Sequence, residues 1–224
     1  MSKATGSRAF VIAIDGPAAA GKGTLASRLA GHFGLPYLDT GLLYRAIGRI
    51  MADRGFDLDN AELAAQIAEM LDPEDLADPR LRGHEAGELA SRVAVHGAVR
   101  AALVAMQRSF AARAPGAVLD GRDIGTVILP DADVKIFVTA SPEVRARRRA
   151  DELNAKGRHV EYATILDEIR TRDARDSGRA TAPLKPAEDA IILDTSELDR
   201  DGAFARAVEI VEAGRARACS AQVD

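Results

Sequence analysis

The chain has 224 residues, 47% apolar and 29% charged, which is near the globular average and excludes a chiefly disordered state. That length suits one globular domain, or a core with small insertions. The net charge of -4 argues against a generally nucleic-acid-binding surface, which is usually basic. Taken in chain order, the apolar run 9–14 is too short for a signal peptide or a membrane span. Residues 10–14 read instead as a buried strand that runs into Asp15. A helix follows over 24–33, with Leu25, Leu29 and Phe33 spaced by four and Gly34 as its stop. Residues 35–38 form a second strand, ending at Asp39, before helices over 41–54, 61–71 and 88–114. Strand 117–119 runs into Asp120, strand 134–138 precedes helices over 142–155 and 162–176, and strand 190–193 runs into Asp194. A helix over 201–212 closes the chain, and the ends, 1–7 and 215–224, are expected to be mobile. Strands alternating with helices imply a parallel sheet in an α/β fold. In such sheets the carboxyl ends of the strands face ligands, so the repeated strand-end aspartates matter. Asp194 is read more plainly, as a turn former.

Residues 16–24 read Gly-Pro-Ala-Ala-Ala-Gly-Lys-Gly-Thr. Gly16, Gly21 and Lys22 have the spacing of a P-loop, with a strand before and a helix after, as such a loop requires. The fold class expected is therefore a P-loop NTPase-type parallel five-stranded sheet flanked by helices. Glycines allow tight folding, so that backbone N–H groups along Gly16, Pro17, Ala18, Ala19, Ala20, Gly21, Lys22, Gly23 and Thr24 converge on one anion (Pro17 itself lacks the donor). The helix adds the positive end of its dipole, and Lys22 supplies a cation that follows a migrating phosphoryl group. Gly23 stands where many P-loops place the Ser or Thr that ligates Mg²⁺. Thr24 is expected on phosphate, with Mg²⁺ held through water and substrate oxygens. This Gly-Lys-Gly-Thr form resembles the loop of nucleoside monophosphate kinases.

Beyond the second strand, Thr40 is placed to cap a helix whose first turns carry Tyr44 and Arg45. An arginine at a helix start opposes the macrodipole, which suggests a partner anion. Beyond the third strand, Asp120 resembles a Walker B acid that orients Mg²⁺ through water. Gly121 and Gly125 flank Arg122 and Asp123, which project from a tight loop as ligand contacts.

Asp-Gly-Pro-x-x-x-Gly-Lys-Gly-Thr, Leu-Asp-Thr-Gly-x-x-Tyr-Arg and Asp-Gly-Arg-Asp-x-Gly-Thr occur here in order. Arg-Asp-x-Arg-Asp-x-x-Arg at 172–179 and Ala-Pro-Leu at 182–184 follow. Together these motifs, spanning 10–195, resemble the bacterial cytidylate kinase family. The resemblance implies transfer of the ATP γ-phosphate to CMP or dCMP. It implies that Thr40, Tyr44 and Arg45 lie beside the monophosphate and that Ser91 and Arg100 read cytosine. It further implies that Arg122 binds phosphate, that Asp123 lies beside the acceptor nucleoside, that Arg172 and Asp176 face the ribose, and that Arg179 reaches the base. Many members carry a longer insertion with a small β-hairpin before the Ser91 position. Here residues 70–87 are short, rich in Asp and Pro, and show no strand pattern. The expected division is a discontinuous core (8–54, 100–144 and 186–214), a helical monophosphate-binding insertion (55–99) and an arginine-rich lid (145–185).

The cations comprise 25 Arg and only 5 Lys, and 11 of the 30 lie in 145–185. The arginine fork suits phosphates and carboxylates, although codon bias in a GC-rich genome gives the same excess. Arg145, Arg147, Arg148 and Arg149 cannot share one helix face, so one of Arg145, Arg148 and Arg149 is expected on ATP and the rest on the surface. Ile165, Leu166 and Ile169 point inward. Arg172, Asp176 and Arg179 then share one face, and Arg175 lies on a neighbouring one. Lys22, Arg122, Arg172 and Arg179 are the candidates for stabilising transferred phosphoryl charge. The histidines at 32, 84, 96 and 159 lack metal-ligand spacing. The one cysteine, Cys219, excludes an intrachain disulfide and sits too near the end for a catalytic thiol. A cytoplasmic monomer acting on small molecules, without nucleic-acid or membrane partners, is the expectation. Two rivals stand: a kinase for another acceptor such as AMP, UMP or shikimate, and a P-loop switch that signals by conformation.

Overall fold

A computed structural model describes residues 8–220. Five strands form one parallel sheet: β1 (Phe10–Asp15), β2 (Tyr37–Asp39), β3 (Gly116–Asp120), β4 (Val134–Thr139) and β5 (Ile191–Asp194). Their spatial order is β2-β3-β1-β4-β5. The helices are α1 (Lys22–Phe33), α2 (Thr40–Asp53), α3 (Ala61–Glu69), α4 (His84–Val93), α5 (Gly97–Ala111), α6 (Pro142–Ala155), α7 (Tyr162–Ser177) and α8 (Arg200–Ser220).

Both faces of the sheet are covered, as a parallel sheet requires. Alternate β1 residues divide between them. Ile12 and Ile14 pack with Leu25 and Leu29 of α1 and Val211 of α8, whereas Ala13 packs with Leu119, Ile128 and Ala111 of α5. A second cluster joins α2 to α5 through Leu43, Ile47, Met51, Ala64, Val93 and Leu103. A third joins α6 and α7 through Ala146, Ala150, Leu153, Ile165 and Ile169. The sheet is therefore flanked by two helical clusters that meet over the carboxyl ends of its strands.

All five expected strands and most helices are present, with four differences. The span 88–114 is two helices, α4 and α5, bent by 101°. His96 Nε2 meets the Leu58 carbonyl at 2.9 Å, and Arg100 donates to the Ala94 carbonyl at 3.2 Å, so one tertiary and one local contact hold the break. Residues 215–220 continue α8 rather than fraying, and the remaining terminal residues, 1–7 and 221–224, lie outside the described residues. Thr40 does not cap α2: Asp39 holds the capping position, and Thr40 Oγ1 donates to the Asp120 carbonyl at 2.7 Å. The second strand starts at Tyr37, later than expected. Between α3 and α4 the chain forms two short 3-10 turns, Pro73–Ala77 and Pro79–Arg82, and no strand. Among the described residues no single helix is long and apolar enough to cross a membrane.

Candidate functional site

The phosphate loop is bent by local geometry. Gly16 has φ +145°, and a Cβ there would lie 1.9 Å from the Val138 carbonyl oxygen, so only glycine fits against β4. Ala19 and Gly21 also take positive φ, 59° and 88°, turning the chain into α1. Lys22 Nζ is buried and donates to the Pro17 carbonyl at 2.8 Å, closing the loop on itself. Burial, reinforced by the Arg122 charge, brings the Lys22 ammonium down to about 7. An anion in the loop reverses that penalty.

Strand register gathers three of the strand-end aspartates. Asp39 pairs with Asp120 across β2 and β3, and Asp120 pairs with Ile14, the neighbour of Asp15. Asp15 accepts from Ile124 N and Gly125 N, both at 2.8 Å, and so ties the loop after β3 to the loop after β1. Burial raises its carboxyl to about 6 despite those bonds. Asp120 accepts from the Tyr37 hydroxyl at 2.9 Å, and burial, then the Asp39 charge, also raises it to about 6. A Cβ on Gly23 would stand 3.6 Å from the Tyr37 hydroxyl and 3.9 Å from Asp120 Oδ2, so the loop packs directly against this pair. Asp194 behaves as the turn former expected, accepting from Ser196 N at 2.8 Å.

Two cavities meet here. A cleft of about 760 Å³ is lined by Ala18, Ala19, Gly21, Lys22, Gly23 and Thr24, and across from them by Arg45, Asp120, Arg122 and Arg172. Gly16, Pro17 and Ala20 belong to the same loop but do not line this cleft. Arg122 and Arg172 also border a cavity of about 50 Å³. This second cavity is lined by Thr40, Tyr44, Ser91, Arg100, Asp123, Asp176 and Arg179, all candidates from the sequence.

Ion pairs fill the small cavity. Asp176 receives Arg122 Nε at 3.0 Å and pairs with Arg179, with Arg172 Nε at 4.0 Å. Arg100 pairs with Asp123. Burial alone would raise Asp176, but Arg122, Arg179 and Arg172 hold its carboxyl below the usual range. Burial, then Arg122, lowers the Arg172 guanidinium to about 10. Burial pushes the Tyr44 hydroxyl up to about 12, so it stays a neutral donor.

The α6 arginines separate. Arg145 donates to the Ala140 carbonyl at 2.9 Å and to the Ala18 carbonyl at 3.1 Å, and it pairs with Asp173, so it braces the phosphate loop from beneath. Arg148 donates to the Thr195 and Leu198 carbonyls, the latter at 3.1 Å. Arg147 stacks on Tyr162, its guanidinium carbon 4.5 Å from the ring centroid. Arg149 lines the main cleft and also a groove of about 580 Å³ that shares Gly21 and Thr24 with it. Sequence reasoning missed the part played by Tyr37, the bracing by Arg145 and the contact of Arg175 with Ser91 at 2.8 Å. It marked Asp15 as a strand end but not as the anchor of the second loop. Among the described residues no three His, Cys, Asp or Glu side chains are grouped to hold a metal by themselves.

A family model described as cytidylate kinase matches residues 12–213. A cytidylate kinase of Methylocella silvestris is 61% identical over 203 residues, 91% of this chain and 94% of that protein. One from Xanthobacter autotrophicus is 60% identical over 207 residues, covering 92% and 99%. One from Rhodopseudomonas palustris is 58% identical over 207 residues, covering 92% and 98%. A crystal structure of an uncharacterized protein from Eubacterium ventriosum has a TM-score of 0.52 and 17% identity, over 91% of this chain and 98% of that one, a likeness of fold alone. With a matching model across most of its length and relatives this similar, the chain belongs to the cytidylate kinase family.

Proposed function

We propose that this chain transfers the γ-phosphoryl group of ATP to CMP and dCMP, giving CDP or dCDP and ADP. The observation that carries this reading is the shared border of the two cavities. Arg122 and Arg172 stand on both, between the phosphate loop and the Ser91–Arg100–Asp123 pocket. In an in-line transfer an acceptor phosphate oxygen bonds to the γ-phosphorus as the bond to the ADP oxygen breaks. The acceptor is already ionised, so no general base is needed and positioning suffices.

In this reading the loop from Gly16 to Thr24 holds the ATP phosphates, and Lys22 follows the transferred group. Arg122, Arg172 and Arg179 stabilise charge on the equatorial oxygens. Thr40, Tyr44 and Arg45 hold the monophosphate, and Ser91, Arg100, Asp123, Asp176 and Arg179 hold the nucleoside. Arg149 is the α6 arginine assigned to ATP, because it alone of the candidates reaches the main cleft. Segment 55–99 serves as the monophosphate-binding insertion and 145–185 as the lid. Mg²⁺ fits beside Asp120: two neighbouring carboxylates, Asp39 and Asp120, repel each other on the wall of the main cleft, and hard oxygen donors suit that ion. Bound there with substrate oxygens, the ion would neutralise phosphate charge. The reading carries with it a cytoplasmic, monomeric enzyme of pyrimidine nucleotide metabolism.

The test is ADP release measured with CMP, dCMP, UMP and AMP in turn. CMP and dCMP should drive turnover well above the other two. ADP release that does not depend on any added monophosphate would overturn the proposal.

A further inference from the structure

Arg175 borders neither the cleft nor the acceptor pocket, yet it touches one of the pocket's buried walls. Its Nη1 donates to Ser91 Oγ at 2.8 Å and lies 3.3 Å from Glu88 Oε2, one turn earlier on α4. A Cβ on Gly87 would approach Arg172 Nη1 to 3.1 Å, so α4 and α7 are closely apposed along this line. Ser91 is only 1% exposed, and the Arg175 contact is the one hydrogen bond its hydroxyl makes among the described residues.

A serine hydroxyl has one proton and two lone pairs, whereas a guanidinium only donates. Arg175 therefore occupies the acceptor side of Ser91 and leaves its proton to be placed. The proton can turn back to a carbonyl of its own helix or forward into the pocket, and only the forward position serves a ligand. A charged donor also polarises the hydroxyl, strengthening it as a donor in turn. Cytosine presents an acceptor at ring N3 where uracil presents an N–H. A wall that donates there admits the first and rejects the second, because the mismatched pair leaves buried donors facing each other.

We propose that Arg175 is a positioning and specificity-determining residue: held by Glu88, it makes Ser91 a hydrogen-bond donor into the acceptor-base pocket. This rests on the reading of that pocket as the nucleoside site. The test is a double-mutant cycle of Arg175→Met and Ser91→Ala, with kcat and KM measured for CMP and for UMP and thermal melts recorded for each variant. Arg175→Met should lower the CMP-to-UMP ratio of kcat/KM about tenfold, the scale of one charge-assisted hydrogen bond, with the loss in KM. Arg175→Lys should recover part of it, and it takes the place of the methionine variant in the cycle if the melts show that variant unfolded. With Arg175 already replaced, Ser91→Ala should change the ratio less than about twofold, since coupled residues are not additive. An unchanged ratio in Arg175→Met beside a lowered one in Ser91→Ala overturns the role of Arg175, as does a full Ser91→Ala effect in the double variant. An unchanged ratio in Ser91→Ala alone overturns the base-pocket reading, and the proposal with it.

Discussion

Lys22 carries a stability cost that its chemistry explains. The folded protein lowers it to about 7 from a usual 10.5, mainly by burial. Between those values the unfolded chain holds a proton that the folded chain has given up, so this group makes stability rise with pH across the window. Lys22→Met should flatten that slope, leave the melting temperature at pH 7 unchanged or higher, and cut turnover by about 100-fold or more. Melts from about pH 6.5 to about 10 with parallel turnover assays check this, and near-normal turnover would remove Lys22 from its role. Asp15 is the opposite kind of buried group, since it is fully employed by two backbone donors. Asp15→Asn turns an amide toward one of those N–H groups and should cost about 1–3 kcal/mol in urea unfolding. Because the Ile124–Gly125 anchor sits beside Asp123, KM for the acceptor should rise as well. Both residues were visible in the sequence. What was not visible is the direction in which Asp15 turns, which depends on a loop more than a hundred positions away.

At the scale of elements, the joint between α2 and α4 is a close one beside the acceptor pocket. A Cβ on Gly48 would stand 2.8 Å from Leu89 Cβ and 2.9 Å from its carbonyl carbon. Gly48→Ala should therefore push the helices apart, costing about 1–3 kcal/mol and raising KM for the acceptor more than for ATP. Equal changes in both KM values would show that the joint does not govern the pocket. The strands and α1 were legible because apolar runs, the Gly-rich loop and Gly34 are local signals. The break between α4 and α5 was not, because residues 88–114 have almost uninterrupted helical character and the break is held by His96 reaching the distant Leu58 carbonyl and by Arg100 turning back to the Ala94 carbonyl. The same holds for α6. Its crowded arginines showed that they could not all serve one ligand, but their partners on the Ala18, Thr195 and Leu198 carbonyls lie on other elements.

For the whole molecule, the two cavities differ greatly in size. About 760 Å³ accommodates a triphosphate, whereas about 50 Å³ does not accommodate a nucleoside. If CMP takes the smaller cavity, as proposed, it must part walls that include α4 and α7 before it is enclosed. Hydrogen exchange should show amides of both helices slowed by CMP, and no change there would argue for binding elsewhere. The net charge of -4 says little about this region, where Arg45, Arg122 and Arg172 face the phosphate loop. Asp176 sits against Arg122 and Arg179. Binding of a nucleotide at those arginines is thus an exchange of one anion for another. Free orthophosphate brings no base to part the helices and gains little from the trade. On the proposed reading, a dissolved anion common in every cell should compete only weakly at the acceptor arginines.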